Sequence, residues 1–339
     1  MARHVILGKG AIGSTLARHL AGQGHDVLVL SRSAAAPADT PGTTRTATTA
    51  GTARPTGTTG TIEHAAVDGT DGAALAAAAR GAVALYNCAN PPYHRWPQLW
   101  PPIAGALLTA AERTGAVLVT AGNLYGYGPV TEPMTETSPL RSSERKGRVR
   151  AAMWTEAKRR HDAGHLRATE VRGSDYLGPG AVQSHAGPRL LAPLLAGRTV
   201  RPIGSADQPH SWTYLPDFAA ALAAAATTEA AWGHAWHVPS PEPLTFRELA
   251  RRIAAAAGAP DPRIAALPMG AVRLFGVAAP MLRELAAVGY QFTAPFVLDS
   301  TASQATLGVT PTPWPRLVEE TLAAWRREEA ARRAPIDAR

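Results

Sequence analysis

His4-Val5-Ile6-Leu7-Gly8-Lys9-Gly10-Ala11-Ile12-Gly13 decides the fold. A short apolar run ends directly in Gly-x-Gly-x-x-Gly, and Ser14 to Leu20 continues with helical spacing. In a strand–turn–helix, Gly8 permits the tight turn and Gly10 lets a pyrophosphate approach the backbone. Gly13 lets the helix lie close against the sheet. Phosphate charge would rest on the first amides of the helix, Ala11 and Ile12 among them, and on the positive end of its dipole. A second apolar strand, Asp26 to Leu30, follows at βαβ distance. The turn reads as a dinucleotide site.

That second strand runs into Ser31-Arg32-Ser33. A site for NAD usually has an acidic residue here, on the ribose 2′-hydroxyl; an arginine flanked by two hydroxyls suits a 2′-phosphate instead. NADP is therefore preferred over NAD. Residues 34–60 are almost entirely Ala, Thr, Gly and Pro, a composition that cannot bury a core, and read as a flexible surface insertion without chemistry. Asp68 follows a third strand, where its carboxylate could meet the adenine edge or cap a turn. Ala82 to Asn90 is a fourth strand whose end, Asn87 and Ala89 included, should lie over the cofactor. Pro91 to Trp96 then leaves the sheet as an aromatic loop, with Tyr93 and Trp96 as one wall of a substrate pocket. A helix over Ile103 to Thr114 leads to the strand Ala116 to Thr120, so Thr120 ends over the cofactor. The turn after it carries Asn123 and Tyr125.

Composition sets wider bounds. At 339 residues and 45% hydrophobic, the chain can bury one large core or two smaller ones. The single cysteine, Cys88, excludes an internal disulfide framework and a multi-cysteine metal site, and no metal is expected. The glycine turn starts within ten residues of Met1 and no apolar run reaches membrane-spanning length. The cytoplasm and no membrane partner are the expectation. The net charge of +8 is concentrated between Arg141 and Arg160, which would meet an anionic cofactor or form a solvated helix face. Without a zinc-finger, RNA-binding or helix-turn-helix signature, nucleic acid is not expected.

At this point the chain resembles the short-chain dehydrogenase/reductase superfamily, in its extended and atypical branch, the NAD-dependent epimerase/dehydratase type. The residues that carry this are Gly8-x-Gly10-x-x-Gly13, Asp68, Tyr125-Gly126 and Arg172-Gly173-Ser174-Asp175-Tyr176-Leu177-Gly178-Pro179-Gly180. Ser211-Trp212-Thr213-Tyr214-Leu215-Pro216-Asp217-Phe218-Ala219 adds to them. The resemblance implies an α/β fold, a Rossmann-type doubly wound parallel sheet with a smaller C-terminal substrate lobe. Residues 1–175 would form the dinucleotide-binding domain. Residues 176–325 would supply the lobe and return elements to the first domain. Tyr176 would line the cofactor, His210 would reach across the cleft to the substrate, and Asp217 would cap the helix that follows it.

The departures from the family bear on the chemistry. Members usually carry Ser or Thr four residues before the tyrosine of Tyr-Gly, and here that place is Ala121. They also carry Tyr-x-x-x-Lys one helix later, whereas the corresponding positions read Lys146 and Arg150. Residues four apart share a helix face, so both cations would point toward the cofactor. Arg150 would hold the nicotinamide ribose or a phosphate. Lys146 would act as general acid or base, with Tyr125 as rival proton donor and Asn123 polarising a carbonyl. The expected function is an NAD(P)-dependent oxidoreductase or epimerase acting on a small polar molecule, with a homodimer left open. Two alternatives stand beside it: a nucleotide-binding sensor or regulator, and a non-redox isomerase or dehydratase in the same cleft.

Overall fold

The structure, a computed structural model, describes residues 1–35, 44–46, 60–181, 184–276 and 280–333. In chain order the elements are β1 (Arg3–Leu7), α1 (Ala11–Gly22), β2 (Asp26–Ser31), β3 (Thr44–Thr46), β4 (Ile62–Ala66), α2 (Gly72–Ala78), β5 (Ala84–Asn87) and α3 (Trp96–Thr114). They continue with β6 (Val117–Asn123), α4 (Arg145–Asp162), β7 (Ala168–Gly173), β8 (Asp175–Leu177), α5 (Pro188–Leu195), β9 (Trp212–Tyr214), α6 (Leu215–Thr227) and β10 (Ala235–His237). Helices close the chain: α7 (Phe246–Ala257), α8 (Met269–Gly276), α9 (Pro280–Ala287), α10 (Thr301–Leu307) and α11 (Trp314–Arg333).

Eight strands form one sheet in the order β10-β7-β6-β5-β1-β2-β4-β3, and every pairing in it is parallel. Side chains alternate across the sheet, and each strand serves two cores. Ile6 packs with Leu16, Val29, Val119 and Phe218 on the face covered by α1 and α6. Its neighbours Val5 and Leu7 pack with Leu30, Leu85, Leu107 and Trp154 on the face covered by α2, α3 and α4. The fold is Rossmann-type. From β1 the chain builds outward through β2 and β4, then returns to build the other half from β5. The strand order thus reverses between β1 and β5, where Leu7 pairs with Asn87; at such a reversal, open parallel sheets bind ligands in a crevice beyond the carboxyl ends of their strands.

Beyond β7 the chain adds the two-stranded pair β8-β9 and a third core of Leu190, Leu191, Trp212, Leu249, Leu317 and Trp325, packed among α5, α7 and α11. The capping box of α7 is complete: Thr245 accepts from the Glu248 amide, and the Glu248 side chain reaches back to the Thr245 amide. No helix among the described residues is long and apolar enough to cross a membrane.

Three local readings change. Thr44–Thr46 runs parallel to β4 as an edge strand, so the insertion is not wholly irregular; residues 36–43 and 47–59 lie outside the described residues. The third helix starts at Trp96 rather than Ile103 and carries Pro101 and Pro102 inside it. Each interior proline costs about 3 kcal/mol, but Trp96 and Trp100, one turn apart, are buried to 3% and 0% exposure. Burial of two such rings offsets that loss. Asp217 does not cap α6, which begins at Leu215. Its carboxylate accepts the amide and hydroxyl of Thr312, at 2.8 and 2.7 Å, and ties the approach to α11 onto α6.

Candidate functional site

The glycine turn is built as its spacing demands. Gly8 has φ +113°, and a Cβ there would overlap the Cys88 carbonyl. A Cβ on Gly13 would overlap the carbonyl oxygen of Gly8, which holds α1 close to the sheet. At Gly10 a Cβ would meet nothing within 4 Å, so this side of the turn is open. The helix has no side-chain cap and no acidic residue in its first turn. Its first amides therefore remain available to an anion. Ser14 Oγ donates to the Lys9 carbonyl at 3.0 Å and fixes the loop. The cradle fits a pyrophosphate.

At the end of β2, Ser31 Oγ donates to the Ser33 carbonyl at 2.6 Å, and Arg32 is exposed. Lys9 crosses from the glycine turn to the same place. Its Nζ donates to the Ala35 carbonyl at 2.9 Å and to Ser33 Oγ at 3.2 Å. Lys9 and Arg32 thus both stand at the end of β2. The sequence reading missed Lys9 because it stands at a position that the glycine pattern leaves free. Asp68 accepts from the amide and hydroxyl of Thr70, at 2.9 and 2.8 Å, and these bonds hold its carboxyl below the usual range.

Along the carboxyl edge, Asn87 is buried beside Leu7 and Thr120, and its Oδ1 accepts the Ala89 amide at 3.4 Å. Burial pushes the Cys88 thiol up to about 12, so it is no nucleophile. Asn123 Oδ1 accepts the Tyr125 amide at 3.2 Å and starts the turn that presents Tyr125. The Tyr125 hydroxyl lies 3.4 Å from that of Tyr93. Burial, with the nearby Tyr93 and Asp175, holds the Tyr125 phenol well above its ordinary pKa.

α4 brings Lys146, Arg150, Trp154 and Ala157 to one buried face, a helical stripe that includes two cations. Gly147 is what lets the helix start close to the turn: a Cβ there would overlap the Tyr125 carbonyl. Lys146 Nζ lies 4.2 Å from the centre of the Tyr93 ring and forms an ion pair with Glu284 of α9. Arg150 lies one turn deeper. Its guanidinium stands between the rings of Trp96 and Trp100, at 4.8 and 4.5 Å, and Nη1 donates to the Ala121 carbonyl at 3.3 Å. Its Nε is buried and has no hydrogen-bond partner among the described residues. Trp96 is thus a support beneath Arg150, its Nε1 donating to the Pro91 carbonyl at 3.1 Å. The rest of the basic run faces outward, where Glu156 pairs with Arg159 and Arg160, and Asp162 with Lys158.

His210 faces Asp175, Nε2 to Oδ2 at 2.9 Å, with Ser174 Oγ at 3.4 Å from the same nitrogen. Tyr176 follows on β8; its ring lies 6.0 Å from that of Phe218, and burial raises its phenol pKa. Asp175 stands in the family motif, and Glu284 and Gln291 lie in stretches for which the sequence leaves a pocket or an oligomer contact open. No spacing links these two to Lys146 or Tyr125.

A family profile, described as the NAD dependent epimerase/dehydratase family, matches residues 5–238. The chain belongs to this family. No curated protein matches it by sequence. Solved structures share its fold over nearly the whole length. MoeE5 in complex with UDP-glucose and NAD is 18% identical with a TM-score of 0.72, covering 96% of this chain and 99% of its own. A dTDP-glucose 4,6-dehydratase from Streptomyces venezuelae, a double mutant with NAD bound, is 21% identical with a TM-score of 0.69, covering 97% and 98%. A UDP-glucose 4-epimerase from Thermotoga maritima with UDP-glucose is 14% identical with a TM-score of 0.72, covering 96% and 99%. Within the family's fold, the departure at Lys146 and Arg150 stands out: both positions are cationic and buried.

Proposed function

We propose that this family member is an NADP-preferring oxidoreductase or epimerase acting on a small polar substrate. The convergence of Tyr93, Tyr125 and Lys146 at one point of the crevice carries the reading. The amides of Ala11, Ile12 and Gly13 would hold the pyrophosphate. Lys9 and Arg32 would take the 2′-phosphate and Asp68 the adenine edge. Asn87, Ala89 and Thr120 would line the nucleotide, and Arg150 and Tyr176 would reach the nicotinamide ribose.

When bound, the nucleotide supplies a hydride acceptor or donor. The chain's own groups do the rest. The Tyr125 phenol, kept protonated by burial, donates to the substrate oxygen. The Asn123 amide donates beside it and polarises a carbonyl, while the Lys146 ammonium offsets negative charge on that oxygen. Residues 176–325, His210 among them, would bound the substrate side.

A second reading, nucleotide binding without turnover, is favoured by one observation: Lys146 is already paired with Glu284. Fluorescence titration with NADPH and NADH, on wild type, Arg32→Ala and Lys9→Ala, tests the cofactor assignment. Tight NADPH binding that weakens about tenfold in each variant, with NADH unchanged, supports it. Equal binding of both nucleotides in all three proteins removes the NADP preference. No binding of either removes the oxidoreductase reading.

A further inference from the structure

Lys146 is a buried cation with donors to spare. Its side chain is 4% exposed, and an ammonium carries three N–H groups. Among the described residues Nζ donates to one acceptor only, the Glu284 carboxylate. The Tyr93 ring, 4.2 Å away, offsets part of the remaining charge. That ring also brings the ammonium to the phenols on which the proposed chemistry rests, because the Tyr93 hydroxyl lies 3.4 Å from that of Tyr125.

Glu284 is held differently. It stands on α9, which packs on α8 and touches the turns Tyr93–Arg95 and Gly289–Phe292. The core beneath these helices is small: Ile203, Met269 and Val272 are buried, while Leu285, Ala286 and Phe292 are only partly covered. Leu274 and Phe275 of α8 stay exposed. So little buried apolar surface leaves the two helices with a low local stability. The Glu284 side chain, 24% exposed, makes no hydrogen bond among the described residues except the one from Lys146. Its charge acts on the Tyr93 phenol as well. Water reaches the carboxylate and scarcely reaches the ammonium, so the anion is the removable member.

Charge decides what can replace it. A neutral oxygen can add to the remaining N–H groups and leave Glu284 in place. A second carboxylate would put two anions on one ammonium, and their repulsion disfavours that. An acid must therefore take the place that Glu284 holds. Exchanging one carboxylate for another keeps the buried ammonium paired and avoids the cost of leaving it alone. The net charge of +8 favours the approach of an anion.

We propose that Lys146 is a carboxylate-binding residue, that Glu284 occupies it in the free protein, and that the substrate is a carboxylic acid whose carboxylate displaces Glu284. The inference rests on the reading of Tyr93, Tyr125 and Lys146 as a substrate site. It does not depend on which nucleotide binds. Displaced, Glu284 turns to water and α9 loses its anchor.

Hydrogen exchange of the α9 amides, followed by mass spectrometry on the full chain without nucleotide, reads the displacement. Acetate is the probe, because it matches the end of the Glu284 side chain. It should quicken α9 exchange about tenfold in wild type, with a saturating dose dependence. Chloride at the same ionic strength should not, and neither should ethylene glycol, which is neutral. Glu284→Ala leaves a gap the size of acetate. Its α9 exchange should be fast from the start, and acetate should raise its melting temperature at about tenfold lower concentration than wild type needs. Glu284→Gln, which keeps the shape of the side chain, serves if the alanine variant fails to fold. Adding Lys146→Met to either variant should abolish the response to acetate.

Wild-type α9 exchange that ignores acetate overturns the proposal, as does an acetate response that survives Lys146→Met. An equal response to ethylene glycol overturns the acid. Release of α9 by inorganic phosphate at lower concentration than by acetate overturns the carboxylate. Failure of both nucleotides to bind is a different result: it removes the cofactor reading and leaves this test standing.

Discussion

The guanidinium carbon of Arg150 lies 4.5 Å from the centre of the Trp100 ring. With Trp96 on its other side, this cation is held by aromatic faces and one carbonyl rather than by a carboxylate. Cation–π contacts of this kind offset part of its desolvation, and its Nε has no partner among the described residues. A buried cation so weakly compensated adds little to stability. Arg150→Met should therefore leave the unfolding free energy within about 1 kcal/mol of wild type. The same variant should weaken NADPH binding about tenfold, a loss of about 1.4 kcal/mol. Urea unfolding and fluorescence titration measure the two. A loss of stability with affinity intact would make Arg150 a structural residue.

Gly10 and Gly13 share a motif but face opposite constraints. The open side of Gly10, at φ −71°, tolerates a methyl group in the free protein. Gly10→Ala should keep the melting temperature close to wild type and lower nucleotide affinity at least tenfold, because the methyl occupies the pyrophosphate's approach. Gly13→Ala must push α1 off the Gly8 carbonyl and should cost about 3 kcal/mol of stability. Thermal unfolding alongside titration separates them. Equal effects of the two changes on affinity and stability would contradict this division.

Two histidines make the fold sensitive to acid. His4 is buried with Nδ1 3.1 Å from the Tyr86 hydroxyl; burial, then the charge of His25, pushes it down to about 4. Burial does the same to His185. Both are neutral in the native state at a pH where the unfolded chain, with histidines near 6.5, already binds protons. The unfolded state therefore gains protons first, and stability falls as pH drops from about 6.5 toward 4. Between about pH 7 and about pH 5 each site should cost at most about 2 kcal/mol, and less where solvent screens it. Urea midpoints across that range should fall for wild type and fall less for His185→Leu. A flat profile would show that neither imidazole is neutral by burial.

The parts of this molecule legible in its sequence are those set by local chemistry. The first strand, turn and helix follow from apolar runs and from glycines whose conformations only glycine adopts easily. Lys146 and Arg150 were rightly placed on one face because helical spacing fixes it. The start of α3 was hidden by Pro101 and Pro102, since local propensity cannot foresee that burial of Trp96 and Trp100 outweighs two prolines. Lys9 was hidden by standing at a free position of its motif. Asp175 with His210, and Lys146 with Glu284, are meetings of separate elements, and only packing brings them together.

That last pair has unequal members. The Lys146 side chain is 4% exposed and that of Glu284 24%. Removing the carboxylate leaves an ammonium buried without a counter-charge, a change that costs about 3–5 kcal/mol in comparable pairs. Removing the ammonium leaves a carboxylate that water can partly reach. Glu284→Gln should therefore destabilise more than Lys146→Met, and its cost should appear first where the pair is anchored. Hydrogen exchange of the α9 amides should quicken at least tenfold in Glu284→Gln, with β1 and β5 unchanged. In Lys146→Met the acceleration should be smaller. If Lys146 only fastens α9, both variants will bind NADPH as wild type does. Loss of affinity in Lys146→Met alone would mean that its charge reaches the bound nucleotide, and unchanged α9 exchange in both would remove the ion pair as the helix's anchor.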